Sequence, residues 1–588
     1  MDSFLAAAAT INSSNPDPAQ ITAAYAQATA ALEDFIKCNN SVMAMVASGV
    51  ATESSKALWV ETLLHSLTTT STTIPTTTTT STTTSTTTAA ESSVHNNCVA
   101  WPPSVTALAL QAMRILSRER VGCEAIYTQE VMDMLAKYST LDRPNPTVAS
   151  TQFQNDIVVM EALKCLSNVL LQDAHIRSLF ATSSYIAAIS VYIGILSRYH
   201  RLVSGVVFLL SRLVFLGTVG NKAATEIAIQ SGVCDSMAYH LNNINSKTLT
   251  CTSSEKWITE TAATNEILKA AFNLSVPVSQ LSSGSGLPTL FGGPRSATNA
   301  AAVSDDSHRD ELGQSLLRAS IDVFIHTPAT SASISPPHSH AINMMMNMPV
   351  TSLAETWFPC RDYTVVRTSV AMLSSTLMDV FPRKDAAADE RDNAPDDHLA
   401  MIDGTDVDQA LPPILILMRS WARGDEGARA VLKELLMPDD IDRSKPLGQG
   451  TTVTNYMIWL MTSVTMLQIR DCVSELLYAI CKENVSDLVA YVGYGHAAGF
   501  LMNSGMLGSV PPSQPVASEH SKDTSQLNEE INPITGEYRR ENDGRSKELD
   551  NMSEEERERE AEKLMVLINR LEKTGVIQVV QKGDDAKK

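Results

Sequence analysis

The chain of 588 residues has few aromatic residues, 5% in all. It also lacks the long alternating runs of Val, Ile and Tyr that are typical of half-buried strands. Hydrophobic residues still make up 44% of the sequence, enough for a large core, and Leu, Ala, Met, Ser and Thr dominate. This composition predicts an all-α fold.

Basic residues are in deficit, with 45 Lys and Arg against 65 Asp and Glu and a net charge of −20. Neutralising phosphates requires concentrated Lys and Arg, so nucleic acid is not expected as a partner. The nine cysteines are scattered singly without a CxxC pair, which excludes a disulfide framework and a zinc site and is typical of a reducing compartment. We expect neither a metal nor a cofactor.

No secretory signal is recognisable, because the apolar stretch at 5–9 is short and lacks a basic flank. The most apolar run, 185–215, is interrupted by charged or polar side chains at Arg198, His200, Arg201 and Arg212. A membrane span needs about 20 residues with almost no charge. Buried helices therefore explain this run better, and we expect a soluble, cytoplasmic chain without membrane insertion.

Catalytic motifs are missing as well. The sequence contains no GxxxxGK[ST], HExxH or GxSxG pattern. His338 and His340 form a pair without an evident third ligand, and the adjacent cluster Met344–Met346 is better explained as a flexible loop or hydrophobic cover. The sequence predicts a binding protein rather than an enzyme.

One helical pattern is repeated along the chain: EALKCLSNVL at 161–170 and EILKAAFNLS at 266–275. In the first copy the apolar side chains of 163, 166, 169 and 170 share one helix face, and Glu161, Lys164 and Asn168 lie away from it. Recurrence of one unit predicts an armadillo/HEAT-like α-solenoid, in which units bury their apolar faces by stacking. The alternative is that any amphipathic helix rich in Leu and Ala produces this pattern.

Low-complexity stretches divide the chain. The expected organisation is N-terminal solenoid helices (1–67), a disordered Thr-rich insert (68–98), the main solenoid (99–506), an acidic flexible linker (507–550), and a C-terminal helix and tail (551–588). Within the main solenoid we expect flexible inserts near 276–309, 326–356 and 384–400. Ser553 and Glu556 have capping-box spacing at the start of the last helix, whose apolar seam includes Leu564, Ile568 and Leu571.

Two groups of polar residues are candidates for ligand binding. Arg114 and Arg118 are four residues apart on a predicted helix and could hold a carboxylate together, although an ordinary solvated face with Glu119 nearby fits the same spacing. Asn168 and Asn273 occupy the same position in their units. Stacked units would place them in a ladder able to bond a peptide backbone.

Several blocks of sequence together resemble the synembryn family, the "resistance to inhibitors of cholinesterase" proteins. The two most specific are VGYGHAAG (492–499) and INPITGEY (531–538), irregular strings that composition does not explain. The other matching blocks are RILSRE (114–119), EALKCLSNVLL (161–171), FLLSRLVFL (208–216), EILKAAFNL (266–274), the segments 411–438 and 474–506, and the tail 552–578.

The resemblance implies an α-solenoid that acts as a non-receptor guanine-nucleotide exchange factor and folding chaperone for heterotrimeric G-protein α subunits. In the implied mechanism, the concave face captures the C-terminal helix of a GDP-bound or nucleotide-free α subunit. The C-terminal segment holds the switch region, and GTP releases the partner. A monomer is expected, recruited to the plasma membrane or cell cortex through its partner.

Carried onto this sequence, the resemblance implies that Arg114, Arg118 and Asn168 bind the partner's carboxylate. Further candidates, placed by repeat position, are Lys164, Arg212, Lys269 and Asn273. The predicted switch-region contact is the tail helix, through Glu554, Leu564, Leu567, Ile568 and Leu571. Ser553 suits an acidophilic kinase and equally a helix cap, and Tyr494 with Gly495 is expected to form a structural turn. The alternative function is an armadillo-type peptide-binding adaptor without exchange activity.

Overall fold

The computed structural model describes residues 2–11, 17–38, 53–72, 101–143, 157–198, 204–244, 260–282, 306–328, 334–383, 401–402, 405–506 and 531–538, together with 553 and 559. The described chain forms two compact units. The main unit comprises Met1–Ile441 and Gly448–Leu488, and the C-terminal unit comprises Asp442–Leu447 and Val489–Lys588.

Helices account for nearly all of the regular structure in these ranges, which confirms the predicted all-α class. Up to residue 282 the helices are α1 (Asp2–Ile11), α2 (Pro18–Cys38), α3 (Glu53–Thr72), α4 (Pro103–Leu116), α5 (Gln129–Tyr138), α6 (Ile157–Gln172), α7 (Ala174–Thr182), α8 (Tyr185–Arg198), α9 (Ser204–Thr218), α10 (Lys222–Gln230), α11 (Val233–Asn243) and α12 (Glu260–Ser282).

The second half continues in the same way. Its helices are α13 (Asp306–His326), α14 (His338–Met346), α15 (Ala354–Trp357), α16 (Thr364–Val380), α17 (Val407–Ala410), α18 (Pro412–Gly424), α19 (Glu426–Leu436), α20 (Val453–Leu460), α21 (Leu467–Ile480), α22 (Val485–Val492) and α23 (Tyr494–Asn503). Two short strands, β1 (Met401–Ile402) and β2 (Thr405–Asp406), pair antiparallel with Met401 opposite Asp406.

Polar residues at the starts of several helices set their boundaries. The Asp173 carboxylate accepts hydrogen bonds from the backbone N–H groups of His175 and Ile176, which have no partner inside α7. Thr452 and Asn455 form a reciprocal capping box at α20. These caps fix the residues at which the short helices begin.

The helices of the main unit pack on one another in sequence. One row runs through α2, α4, α6, α9, α12, α14, α18 and α21, each helix in contact with the next. In α6 the predicted apolar face is fully buried between its neighbours, with Leu163, Leu166, Val169 and Leu170 all 0% exposed. The predicted amphipathic pattern of α6 is therefore confirmed. Its apolar face is buried because α6 packs against the helices before and after it in the row.

The flexible insert expected near 326–356 is wrong for the described residues 334–356. The Met cluster lies on α14, where Met344 and Met345 are fully buried. At the end of α15, Trp357 packs edge-to-face on Trp421 of α18, with ring centroids 5.4 Å apart. The Pro and Ser residues at the start of this stretch suggested a loop, but unbranched Met side chains form helix readily and fill a core.

Two other expected inserts are shorter than predicted. Helix α12 continues to Ser282 and α13 begins at Asp306, so only 283–305 of the stretch 276–309 lies outside the described residues. Helix α3 continues to Thr72, and the rest of the Thr-rich insert, like 384–400, also lies outside them.

The linker expected over 507–550 contains an ordered turn. Ile531 and Tyr538 form an antiparallel bridge, and Asn532 donates its backbone N–H to Glu537 O at 2.7 Å. The prediction of a flexible linker is wrong for these eight residues, 531–538, because their backbone is hydrogen-bonded within the C-terminal unit.

Among the described helices, none is by itself both long and apolar enough to cross a membrane. One bent pair, Ala174–Thr182 with Tyr185–Leu196, passes that test by length and composition only.

Candidate functional site

The first group of predicted binding residues meets at the contact between α4 and α6. Arg114 Nε donates to Glu161 Oε2 at 3.0 Å, and Lys164 Nζ donates to Glu161 Oε1 at 2.6 Å. The carboxylate is only 4% exposed, whereas the two cations are 22% and 18% exposed. This cluster, Arg114–Glu161–Lys164, joins two helices through a buried carboxylate.

The same arrangement recurs where α9 meets α12. Lys269 Nζ lies 2.9 Å and Arg212 Nη1 3.4 Å from Glu266 Oε1. Glu266 is 4% exposed, and its second oxygen, Oε2, is buried without a hydrogen-bond partner among the residues that the structure describes. The cluster Arg212–Glu266–Lys269 therefore has the same arrangement as the first cluster, two helices further along the row.

Each cluster carries two cations around one carboxylate, so each has a formal excess of one positive charge. The cations are also more exposed than the carboxylate they surround. In a chain with a net charge of −20, these are local positive sites. A partly buried guanidinium or ammonium group binds carboxylates through charge-assisted hydrogen bonds, which are stronger than neutral ones.

Arg118 adds a further cation beside the first cluster, but not on the helix expected. Helix α4 ends at Leu116, and the Arg118 backbone N–H bonds Ile115 O in the following turn. Burial, followed by the nearby positive charge of Arg114, lowers the pKa of the Arg118 guanidinium. The two arginines therefore lie close together. They do not share one helix face, as was predicted, because Arg118 lies beyond the end of α4.

Glu161 was expected only to lie away from the apolar face of α6, and its burial was not predicted. It is 3% exposed because α4 brings Arg114 over it. Glu119, the expected neighbour of the arginines, instead pairs with Lys56 of α3. No feature of the local sequence identifies these partners, which lie 47 and 63 residues away in the chain.

The two predicted asparagines do form a repeated arrangement. Asn168 Nδ2 donates to Arg114 O at 3.0 Å and Ser117 Oγ at 3.2 Å. Asn273 Nδ2 donates to Phe215 O and Thr218 Oγ1, both at 3.1 Å. Each amide thus bonds the last turn of the preceding helix in the row, where carbonyls lack partners within the helix. The amide N–H groups join the repeats rather than facing a ligand.

A third member of this set was missed in the sequence. Asn347, directly after α14, donates through Nδ2 to Phe272 O at 3.4 Å and Ser275 Oγ at 3.1 Å on α12. In all three cases the carbonyl and the hydroxyl belong to residues three apart. In the sequence, the signal for this set is a Ser or Thr that lies three residues after the residue whose carbonyl accepts the hydrogen bond.

Other predicted residues are not brought into the clusters. The described part of the tail is limited to Ser553, which is exposed, and Arg559; Glu554, Leu564, Leu567, Ile568 and Leu571 lie outside the described residues. His338 is buried with Nε2 3.1 Å from Thr327 O. No group of three metal-ligating side chains occurs among the residues described.

Fold and site together define a class: an all-α protein of successively packed helices that carries the same Arg–Glu–Lys cluster at two levels. The sequence model of the family described as "guanine nucleotide exchange factor synembryn" matches residues 109–587. This match covers most of the chain, and the protein belongs to that family.

Individual members of the family share about a quarter of their residues with this chain. The protein named Chaperone Ric-8A of Gallus gallus is 25% identical over 500 residues, which cover 81% of this chain and 83% of the relative. Chaperone Ric-8A of Danio rerio is 24% identical over 501 residues, covering 82% and 84%. Chaperone Ric-8B of Mus musculus is 24% identical over 438 residues, covering 69% and 77%.

Proposed function

We propose that this chain promotes GDP release from heterotrimeric G-protein α subunits and assists their folding. Family membership supports the class of activity. The observation that carries the site assignment is the repeated Arg–Glu–Lys cluster, with Arg118 beside its first copy. In this proposal the chain is an armadillo/HEAT-like solenoid; the contact of each helix in the row with the next supports it, and the two clusters lie along that row.

The ligand of the first cluster is, in this proposal, the C-terminal carboxylate of the α subunit. Arg114 is held by Glu161 with its guanidinium partly exposed, so its geometry is set before the ligand arrives. The second cluster, with Arg212 and Lys269, contacts acidic or amide groups further along the same segment. The tail helix contacts the switch region through Leu564, Leu567, Ile568 and Leu571.

The mechanism is non-covalent. Binding that favours the nucleotide-free α subunit must be weakened by nucleotide to the same extent, so GTP releases the complex. The protein acts as a monomer in the cytoplasm and reaches the membrane or cortex with its partner. Phosphorylation of the exposed Ser553 would place added charge at the start of the tail helix.

The first experiment is GDP release from a purified α subunit of the same organism, with and without the chain. Faster release and a complex that dissociates with GTP are the expected results. Binding that does not depend on the nucleotide, without faster release, would support the adaptor alternative instead.

The site is tested with Arg114→Ala/Arg118→Ala. Loss of a charge-assisted contact should weaken binding by about 1.5–3 kcal/mol. The matched control is Arg367→Ala/Arg423→Ala, which removes two arginines from pairs that are about half exposed. Calorimetry measures both, and circular dichroism verifies folding. Equal affinities of the two double variants would remove the first cluster from the site.

A further inference from the structure

The two most specific strings of the sequence, VGYGHAAG and INPITGEY, meet in the C-terminal unit. The Tyr494 backbone N–H donates to Pro533 O at 2.9 Å, and the Gly495 N–H donates to Ile534 O at 2.8 Å. Both donors lie in the first turn of α23, where N–H groups have no partner within the helix. The turn 531–538 therefore caps α23.

Two glycines allow this close approach. Gly493 has φ 82° and Gly536 φ 73°, in the left-handed region that side chains disfavour. A Cβ on Gly493 would lie 2.6 Å from the carbonyl carbon of Thr535, and one on Gly536 would lie 2.8 Å from Leu447 Cδ1. Neither position has room for a side chain.

Arg443 holds the other side of the turn. Its Nη1 donates to Tyr491 O at 3.1 Å and to Gly536 O, and its own carbonyl accepts the Tyr538 N–H at 3.0 Å. The guanidinium lies 5.6 Å from the centre of the Tyr491 ring. One side chain thus joins the end of α22 to the turn.

We propose that Arg443, Gly493 and Gly536 form a tail anchor, a set of positioning residues that fixes where the C-terminal tail leaves the folded protein. Its functional consequence rests on the proposed contact between tail helix and partner. The chain from Tyr538 to Ser553 spans about 15 residues, or at most about 50 Å. Counted from Met506, the last residue described before the turn, the chain to Ser553 spans about 47 residues, or at most about 160 Å.

This difference in length predicts the size of the effect. The effective concentration of a tethered group falls roughly as the −3/2 power of tether length. A threefold longer tether therefore lowers the effective concentration of the tail helix at the bound partner about fivefold. The affinity for the α subunit should fall by the same factor.

The anchor is tested first without any partner. Fluorophores on unnatural amino acids at positions 502 and 559 of the full chain, both exposed, report the distance from α23 to the tail. Arg443→Ala should lengthen and broaden that distance, and Gly536→Ala should do so independently. Arg470→Ala, which removes an arginine of the main unit that pairs with its neighbour Asp471, should not. Unchanged distances in both anchor variants would overturn the proposal.

Binding of a GDP-bound α subunit then separates positioning from folding. Arg443→Ala should weaken binding about fivefold in the wild-type chain, and cause no further loss when Leu564→Ala/Ile568→Ala has already disabled the tail helix. Equal losses in both backgrounds would show a merely structural role and overturn the positioning role. If Leu564→Ala/Ile568→Ala alone leaves affinity unchanged, the proposed tail contact fails, while the fluorescence result still decides whether the anchor exists.

Discussion

Glu161→Gln is the sharpest test of the buried clusters. The substitution keeps the size of the side chain and removes the charge that Arg114 and Lys164 surround at 3.0 and 2.6 Å. Because the carboxylate is 4% exposed, water replaces little of the lost interaction. A hydrogen bond to a charged group contributes about 1.5–3 kcal/mol, so the contact between α4 and α6 should weaken by that amount.

The assay is native-state hydrogen exchange, since a chain of this length does not unfold in a single two-state step. At 1.4 kcal/mol for each factor of ten, protection of the amides of α4 and α6 should fall roughly 10- to 150-fold. The matched control is Glu434→Gln, which removes the same charge from a pair whose side chains are 51% and 63% exposed. Such exposed pairs contribute about 0–1 kcal/mol, so its effect should stay below about fivefold.

If Glu161→Gln loses no more protection than Glu434→Gln, the buried carboxylate does not stabilise the contact. The first cluster would then be an incidental arrangement, and its preorganisation of Arg114 could not support the proposed site.

Three further predictions concern other parts of the chain. Asn273→Leu removes the donor to Phe215 O and Thr218 Oγ1 and should destabilise the α9–α12 contact by about 1–3 kcal/mol, measured by hydrogen exchange of these helices; Asn243→Leu, on an exposed amide, is the control. Burial, together with nearby Lys269, lowers the pKa of His340 to about 4, so the unfolded chain binds a proton between pH about 6.5 and 4 that the folded chain does not. Stability should therefore fall as pH is lowered through that window, and a thermal melt of His340→Gln should lack this part of the fall. Burial raises the pKa of the Cys123 thiol to about 11 and that of Cys481 to about 12, so brief alkylation near neutral pH should modify the exposed Cys360 first among the described cysteines, as mass spectrometry would reveal.

The helices were predictable because their signal is local. The spacing of Leu163, Leu166, Val169 and Leu170 depends only on the helical period, and all four are buried as that period requires. Where the local signal was ambiguous, prediction failed. Pro336 and Pro337 suggested a loop before the Met cluster, and only the space between α12 and α18 shows why α14 is helical and buried.

The candidate site was likewise predictable only in part. Arg114 was named from its spacing to Arg118 and from the resemblance. Lys164, Arg212, Lys269 and the two asparagines were named from repeat position and the resemblance. Their partners were not, since Glu161 and Glu266 would ordinarily be assigned to solvent. Sequence position also could not show that the asparagine amides bond neighbouring helices instead of a ligand.

The sequence by itself determined the all-α class, the repeated amphipathic unit and, through its irregular strings, the family. These follow from local periodicity and from strings that are specific in themselves. Only the tertiary structure decided that a glutamate in each unit is buried between two cations, and that VGYGHAAG and INPITGEY are hydrogen-bonded to each other and to Arg443. The physical reason is that burial and ion pairing depend on residues brought together from tens of positions away, and no local pattern records which helix will lie over which side chain.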